Sequence, residues 1–250
     1  MVAKETILNT QFDLISTKHT GITKYDPSKQ YVHYPSILNL LSDFKDNSSF
    51  LDVGCGDGIV SRKLIKKYPN SRILGYDIAP EQINLAKSFE NNTTRNIKYE
   101  IASQYSFYNN NLFDVAFSVL VLPYAVNFEA LKKFFSSSYE NTKTDGKFIS
   151  IIFNPNFKGF DKINYRRKFN KSDNSNVRID FYNNNDEYYF SSNISNFSKA
   201  EYEEASREAG YNGLKWINLK VSKNGIKKMG KPFWNNYEID CPYIAVICEK

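Results

Sequence analysis

With three cysteines, two histidines and no apolar run near the ~20 residues a membrane helix needs, this 250-residue chain excludes several classes at once. Three cysteines build no disulfide framework. Cys241 and Cys248 stand seven positions apart on what reads as one strand, roughly 23 Å at ~3.3 Å per residue, so they do not pair. A reducing, cytoplasmic setting is expected. The N-terminus carries no long apolar stretch behind a basic one, so no secretion signal is expected. No metal site and no membrane partner are expected either. The charge is mildly lopsided: 33 Lys and Arg against 27 Asp and Glu leave +6. The basic residues are scattered apart from Arg166-Arg167-Lys168 and a few Lys pairs, which reads as solvated surface rather than a nucleic-acid footprint.

Apolar residues make up 41% of the chain and charged ones 24%, enough for a full-sized core. From about residue 35 to 153 short apolar strands alternate with amphipathic helices, the pattern of a parallel sheet. Ile37, Leu40, Leu41 and Phe44 form a helical stripe behind Pro35. Strands are expected at Phe50–Val53, Arg72–Tyr76, Ile97–Ile101, Phe113–Leu120 and Lys147–Phe153, with helices between them. Residues 154–197 break the rhythm and are rich in Asn, Tyr and Phe. There Val177–Tyr182 and Glu187–Ser192 read as a hairpin. Ser198 and Glu201 form a capping box for a last helix, and Leu214–Val221 and Tyr243–Lys250 read as closing strands. Residues 1–34 are expected to be a cap segment and 35–250 one domain, with 154–197 as an insertion covering the substrate. Its Asn-rich turns bury little and its rings need a partner face, which predicts a mobile lid whose order depends on ligand.

The chemistry concentrates in Asp52-Val53-Gly54-Cys55-Gly56-Asp57-Gly58, between the first strand and its helix. Glycines there let the chain turn tightly and a ligand approach the backbone, while the helix behind presents free N–H groups. Asp77, at the end of the second strand, is placed to accept both hydroxyls of a ribose. A dinucleotide fingerprint needs its third glycine where Ile59 stands, and Asp52 would repel a pyrophosphate but favour an ammonium group. The features together read as a nucleoside site at the carboxyl edge of a parallel sheet.

This acidic-x-Gly-x-Gly-x-Gly run resembles the S-adenosylmethionine sites of class I methyltransferases. Phe113-Asp114-Val115-Ala116 is similar to that family's fourth-strand motif, and Thr144-Asp145-Gly146-Lys147-Phe148 to its entry into strand five. The resemblance implies a Rossmann-like α/β fold with a seven-stranded, mostly parallel sheet, helices on both faces and an antiparallel last strand. It implies S-adenosylmethionine as cofactor and S-adenosylhomocysteine as product. Gly54, Cys55 and Gly56 would line the methionine half, Asp52 would orient its amino group, Asp77 would hold the ribose and Ile78 would pack on adenine. Ser103 stands where the family usually has Asp, so adenine recognition would fall to Ser103 and Gln104, and Ser118 near the end of strand four would be a further cofactor contact. Leu120 to Ala125, Asn154-Pro155 and the aromatic insertion are similar to the toxoflavin-synthase-like small-molecule methyltransferases.

The acceptor must then be covered by the N-terminal segment and the insertion, both aromatic. Tyr25, Tyr34, Tyr124, Tyr165 and Tyr182 are the candidate contacts, suited to stacking on a planar small-molecule acceptor and to steadying a sulfonium. His33 is the candidate general base, with His19 second. Nucleic-acid amino-methyltransferases end strand four on Asn/Asp-Pro-Pro-aromatic, whereas this chain has Ser118-Val119-Leu120-Val121. A tRNA or protein acceptor, or a non-catalytic regulatory subunit, stays as the alternative reading. The sequence leaves the oligomeric state open.

Overall fold

A computed structural model describes residues 26–90, 96–102, 112–171 and 175–250. Tyr25, His19, Ser103 and Gln104 lie outside the described residues. A π-helical turn (Lys29–His33) runs into α1 (Tyr34–Leu40). Then follow β1 (Ser49–Val53), α2 (Ile59–Lys67), β2 (Arg72–Asp77), α3 (Pro80–Ser88) and β3 (Ile97–Ile101). Next come β4 (Phe113–Val119), α4 (Phe128–Glu140) and β5 (Thr142–Phe153). After an inserted sheet, α5 (Lys199–Ala209), β10 (Leu214–Asn218), α6 (Lys223–Met229) and β11 (Tyr243–Glu249) close the chain.

The seven strands lie in the order β10-β11-β5-β4-β1-β2-β3. Strands β1 to β5 pair in parallel, and β11 runs antiparallel to both of its neighbours. The expected Rossmann-like sheet is therefore present. Both faces are covered, which the period-2 alternation of β5 makes visible. Ile149, Ile151 and Phe153 join the core beneath α1 and α2, whereas Phe148 and Ile152 join the core beneath α4 and α5. The capping box at Ser198 forms as read: Glu201 accepts from the Ser198 N–H at 2.7 Å, and Ser198 Oγ accepts from the Glu201 N–H at 3.3 Å. Among the described residues no helix is long and apolar enough to cross a membrane.

Three differences from the sequence reading have local causes. Strand β5 begins at Thr142, with Asp145 at φ 64° and a register shift between Phe113 and Val115, so polar residues extend it backwards. Helix α6 interrupts what reads as a simple connection; Ser222 starts it by accepting from the Gly225 N–H at 3.1 Å. The insertion is more than a hairpin. Strands β6 (Ile163–Asn164), β7 (Arg167–Lys171), β8 (Asn176–Tyr182) and β9 (Tyr188–Ser195) form an antiparallel four-stranded sheet in that order. Strand β7 escapes sequence reading because Phe169 is its single apolar residue. The turn at 184–187 is exposed, but the strands around it are packed: Phe169 and Val177 are fully buried and share a core with Phe153 and Tyr243, which speaks against a mobile lid.

Candidate cofactor cleft and acceptor cavity

Parallel pairing brings the carboxyl ends of β1, β2 and β4 to one edge, and the glycine loop leaves β1 there. Gly54 has φ +66°, and a Cβ on it would stand 2.5 Å from Val121 Cγ2 in the segment after β4. Gly58 has φ +75°, and a Cβ there would meet Tyr99 Oη at 2.3 Å. Neither position admits a side chain without moving a neighbour. The Cys55 N–H donates to the Tyr76 carbonyl at 3.0 Å, tying the loop to β2. Asp77 completes the tie: its carboxylate accepts from the Gly56 N–H at 2.9 Å and from the Ala79 N–H at 3.0 Å. The loop and the acidic residue that sequence spacing pairs thus touch directly.

Asp52 is buried and accepts from Ser61 Oγ at 2.6 Å. Burial pushes its carboxyl up to about 7; the Ser61 bond opposes that shift and the Asp77 charge adds to it. Burial likewise raises the Cys55 thiol well above its ordinary value, so it stays a neutral side chain packed beneath the loop. Ile78 is half-buried at the end of β2. Ser118 is fully buried and its hydroxyl is spent on Ser150 Oγ at 2.7 Å, joining β4 to β5. It is thus withdrawn from the set of cofactor contacts.

The inserted sheet borders a half-open cavity of about 450 Å³. Tyr165 and Tyr182, two of the expected acceptor contacts, line it together with Phe181 and Tyr189. Tyr165 and Arg166 form the β6–β7 turn with φ 55° and 62°, a left-handed pair that side chains seldom adopt and that holds both residues against the cavity. Trp234 stacks behind Tyr165 at 5.8 Å and 18°. Tyr165 Oη donates to the Asn235 carbonyl at 2.8 Å. The floor is Arg167, 2% exposed, whose guanidinium bonds Asp26 and the Tyr243 hydroxyl. Tyr243 opens β11 opposite Phe153, the carboxyl end of β5, so this floor lies on the same sheet edge as the glycine loop.

Arg167 corrects the reading of Arg166-Arg167-Lys168 as solvated surface. In β7 it takes an inward position, two residues before Phe169, and burial is possible because Asp26 neutralises it. The other expected contacts divide. Tyr124 Oη meets Ser192 Oγ at 3.0 Å, where it docks β9 to the segment after β4, and Tyr34 is buried beneath; neither lines the cavity. His33 lies fully buried, edge-on to Tyr243 at 4.4 Å, and burial holds it neutral, well below the ordinary histidine range. With no open face, it is not placed as a general base.

Residues 50–146 match a family model described as a methyltransferase domain. Malonyl-[acyl-carrier protein] O-methyltransferase 1 of Ilyobacter polytropus is 35% identical over 68 residues, 24% of this chain and 25% of that protein. The chain thus spans about a quarter of the length of that relative. An S-adenosylmethionine-dependent methyltransferase from Clostridium acetobutylicum superposes with a TM-score of 0.63 at 17% identity, covering 93% of this chain and 98% of that one. The S-adenosylmethionine-bound CalS10, an amino pentose methyltransferase from Micromonospora echinaspora, gives 0.58 at 12% identity over 86% and 89%. At these identities the superpositions speak for the fold, and the domain match speaks for the loop and its surroundings. Residues 50–146 thus match a methyltransferase domain, and the described sheet has the fold of the S-adenosylmethionine-dependent methyltransferases it superposes on.

Proposed function

We propose that this chain transfers the methyl group of S-adenosylmethionine to a small planar acceptor, aromatic or heterocyclic, held in the cavity between Tyr165 and Tyr182. The observation that carries this reading is the shared sheet edge. A glycine loop built for close backbone approach leaves that edge, and Arg167, which lines an aromatic cavity of about 450 Å³, bonds Tyr243 at the same edge. The residues fit the cofactor. Gly54 and Gly56 offer backbone without side chains to its methionine half, buried Asp52 offers a carboxylate to its ammonium, and Asp77 offers one to its ribose. Ile78 is the apolar surface for adenine, and Cys55 packs under the loop.

Bound S-adenosylmethionine supplies an electrophilic methyl on a sulfonium. The chain's part is to align and to exclude water. Tyr165, Phe181 and Tyr182 give the acceptor flat faces to stack on. Among the described residues lining the cavity, the carboxylate of Asp26 is engaged by Arg167 and acts as no base. The acceptor therefore arrives with its lone pair already available.

Calorimetry with S-adenosylmethionine and S-adenosylhomocysteine tests the cofactor half. Asp77→Ala should weaken both by about 5- to 150-fold, the equivalent of ~1–3 kcal/mol. Well-folded protein that binds neither ligand would end the reading. Incubation with a panel of aromatic and heterocyclic acceptors, followed by mass spectrometry, tests the second half. The surplus of +6 favours a macromolecular acceptor as the second reading. A nucleic acid would reveal itself by binding that falls steeply with salt, which a neutral small molecule does not show.

A further inference from the structure

We propose that the acceptor carries a carboxylate, and that the cavity holds it on the guanidinium of Arg167. The proposal deepens the preceding reading and rests on it. A guanidinium has five N–H donors in a planar fork. In Arg167, Nη2 donates to Asp26 and Nη1 to the Tyr243 hydroxyl, while Nε is buried without a hydrogen-bond partner. Asp26 does not fill the fork because it meets it through one oxygen only. Its other oxygen accepts from the Ser28 N–H at 2.9 Å and the Lys29 N–H at 3.2 Å, at the start of the helix. The plane is held in place by rings: Phe181 and Tyr243 each stand 5.1 Å from the Arg167 Cζ.

Arg167 Nε is the buried donor left over on a residue that lines the cavity. A buried donor without an acceptor is costly, and it marks a place shaped for an oxygen-bearing group. Charge selects its sign. Of the charged residues lining the cavity, Arg166 and Arg167 outnumber Asp26. Geometry selects its kind: a carboxylate is a planar monoanion that matches the guanidinium fork. A dianion such as a phosphate monoester would be repelled by the Asp26 carboxylate on the same group. The aromatic walls then take the body of the acceptor.

Trp234, stacked on Tyr165, is a built-in reporter of this cavity. Its emission is followed while the full chain, saturated with S-adenosylhomocysteine, is titrated with benzoate, benzamide and phenyl phosphate. Benzoate should bind about tenfold or more tighter than benzamide, the range of charge-assisted hydrogen bonds, and phenyl phosphate should be weaker than benzoate. Arg167→Lys keeps the charge and loses the fork. It should erase most of the preference for benzoate while S-adenosylhomocysteine affinity, read by calorimetry, is unchanged. If that variant fails to fold, the contrast among the three probes on the unmodified protein still decides. Equal binding of benzoate and benzamide overturns the carboxylate and leaves the aromatic acceptor standing; tighter phenyl phosphate binding overturns it in favour of a phosphate monoester. No response to any probe, with S-adenosylhomocysteine still bound, overturns both the carboxylate and the aromatic acceptor. Loss of S-adenosylhomocysteine binding itself counts against the methyltransferase reading alone.

Discussion

Asp26 and Arg167 stand 141 positions apart and form an ion pair whose side chains are 4% and 2% exposed. The pair fastens the N-terminal helical turn to the inserted sheet across the floor of the cavity. Removing one partner strands the other as a buried charge. Arg167→Gln is expected to cost about 3–5 kcal/mol, and the double variant Asp26→Asn, Arg167→Gln clearly less than the sum of its singles. Urea unfolding of the four proteins reads the coupling, and additive losses would show that the pair is not coupled.

Asp52 is expected to link pH to both stability and S-adenosylhomocysteine affinity. Its folded value of about 7 lies above the ordinary 3.8, so the folded protein holds the extra proton between those limits. The contribution of this group to stability therefore falls as pH rises through that window and is lowest above it. Asp52→Asn should flatten this part of the profile and raise the melting temperature of ligand-free protein at about pH 8. Affinity for S-adenosylhomocysteine should move the other way, rising with pH in the unmodified protein and staying flat and weaker in the variant. Identical pH profiles for the two proteins would refute this account of Asp52.

Gly54→Ala meets two obstacles, φ +66° and a Cβ position 2.5 Å from Val121 Cγ2. The backbone part costs about 1–3 kcal/mol. Adding Val121→Ala should return the steric share of the loss and none of the backbone share, so thermal stability recovers in part. Full recovery would mean that the left-handed conformation is not required. S-adenosylhomocysteine affinity should drop in both variants because the loop backbone is displaced.

The inserted sheet should be ordered before any ligand arrives. Hydrogen exchange of the ligand-free protein is expected to show slow amides at Val177, Ile179 and Ile194, whose side chains are in the core, and faster ones in the exposed turn 184–187. Fast exchange across β8 and β9 would restore the mobile lid that the Asn-rich turns suggest.

Legibility followed locality. The strands and helices of 49–153 carry their periodicity within short windows, and the glycine loop and Asp77 are a spacing motif, so both could be read directly. The hairpin β8–β9 was legible because Val177 and Ile179 alternate with polar residues around an Asn-rich turn. Strand β7 was not, because Arg-Lys-Phe-Asn-Lys has no apolar alternation, and its inward Arg167 is indistinguishable from a surface arginine without Asp26 beside it. His33 looked like a base because histidines are few; its burial against Tyr243 is a matter of packing that no local pattern records.

The sequence by itself determined the parallel sheet, the cofactor loop, the acid that follows it and the aromatic character of the insertion. Each of these is written in residues close together in the chain, where steric and hydrogen-bonding preferences act over a turn or a strand. Tertiary structure alone decided which rings face the cavity, that Trp234 backs Tyr165, that Ser118 is spent on Ser150 and that Arg167 is buried on Asp26. Those outcomes depend on which side chain neutralises or fills the space of another across many tens of residues. Burial of a charge is the clearest case, since it is set by a partner and not by the charged residue itself.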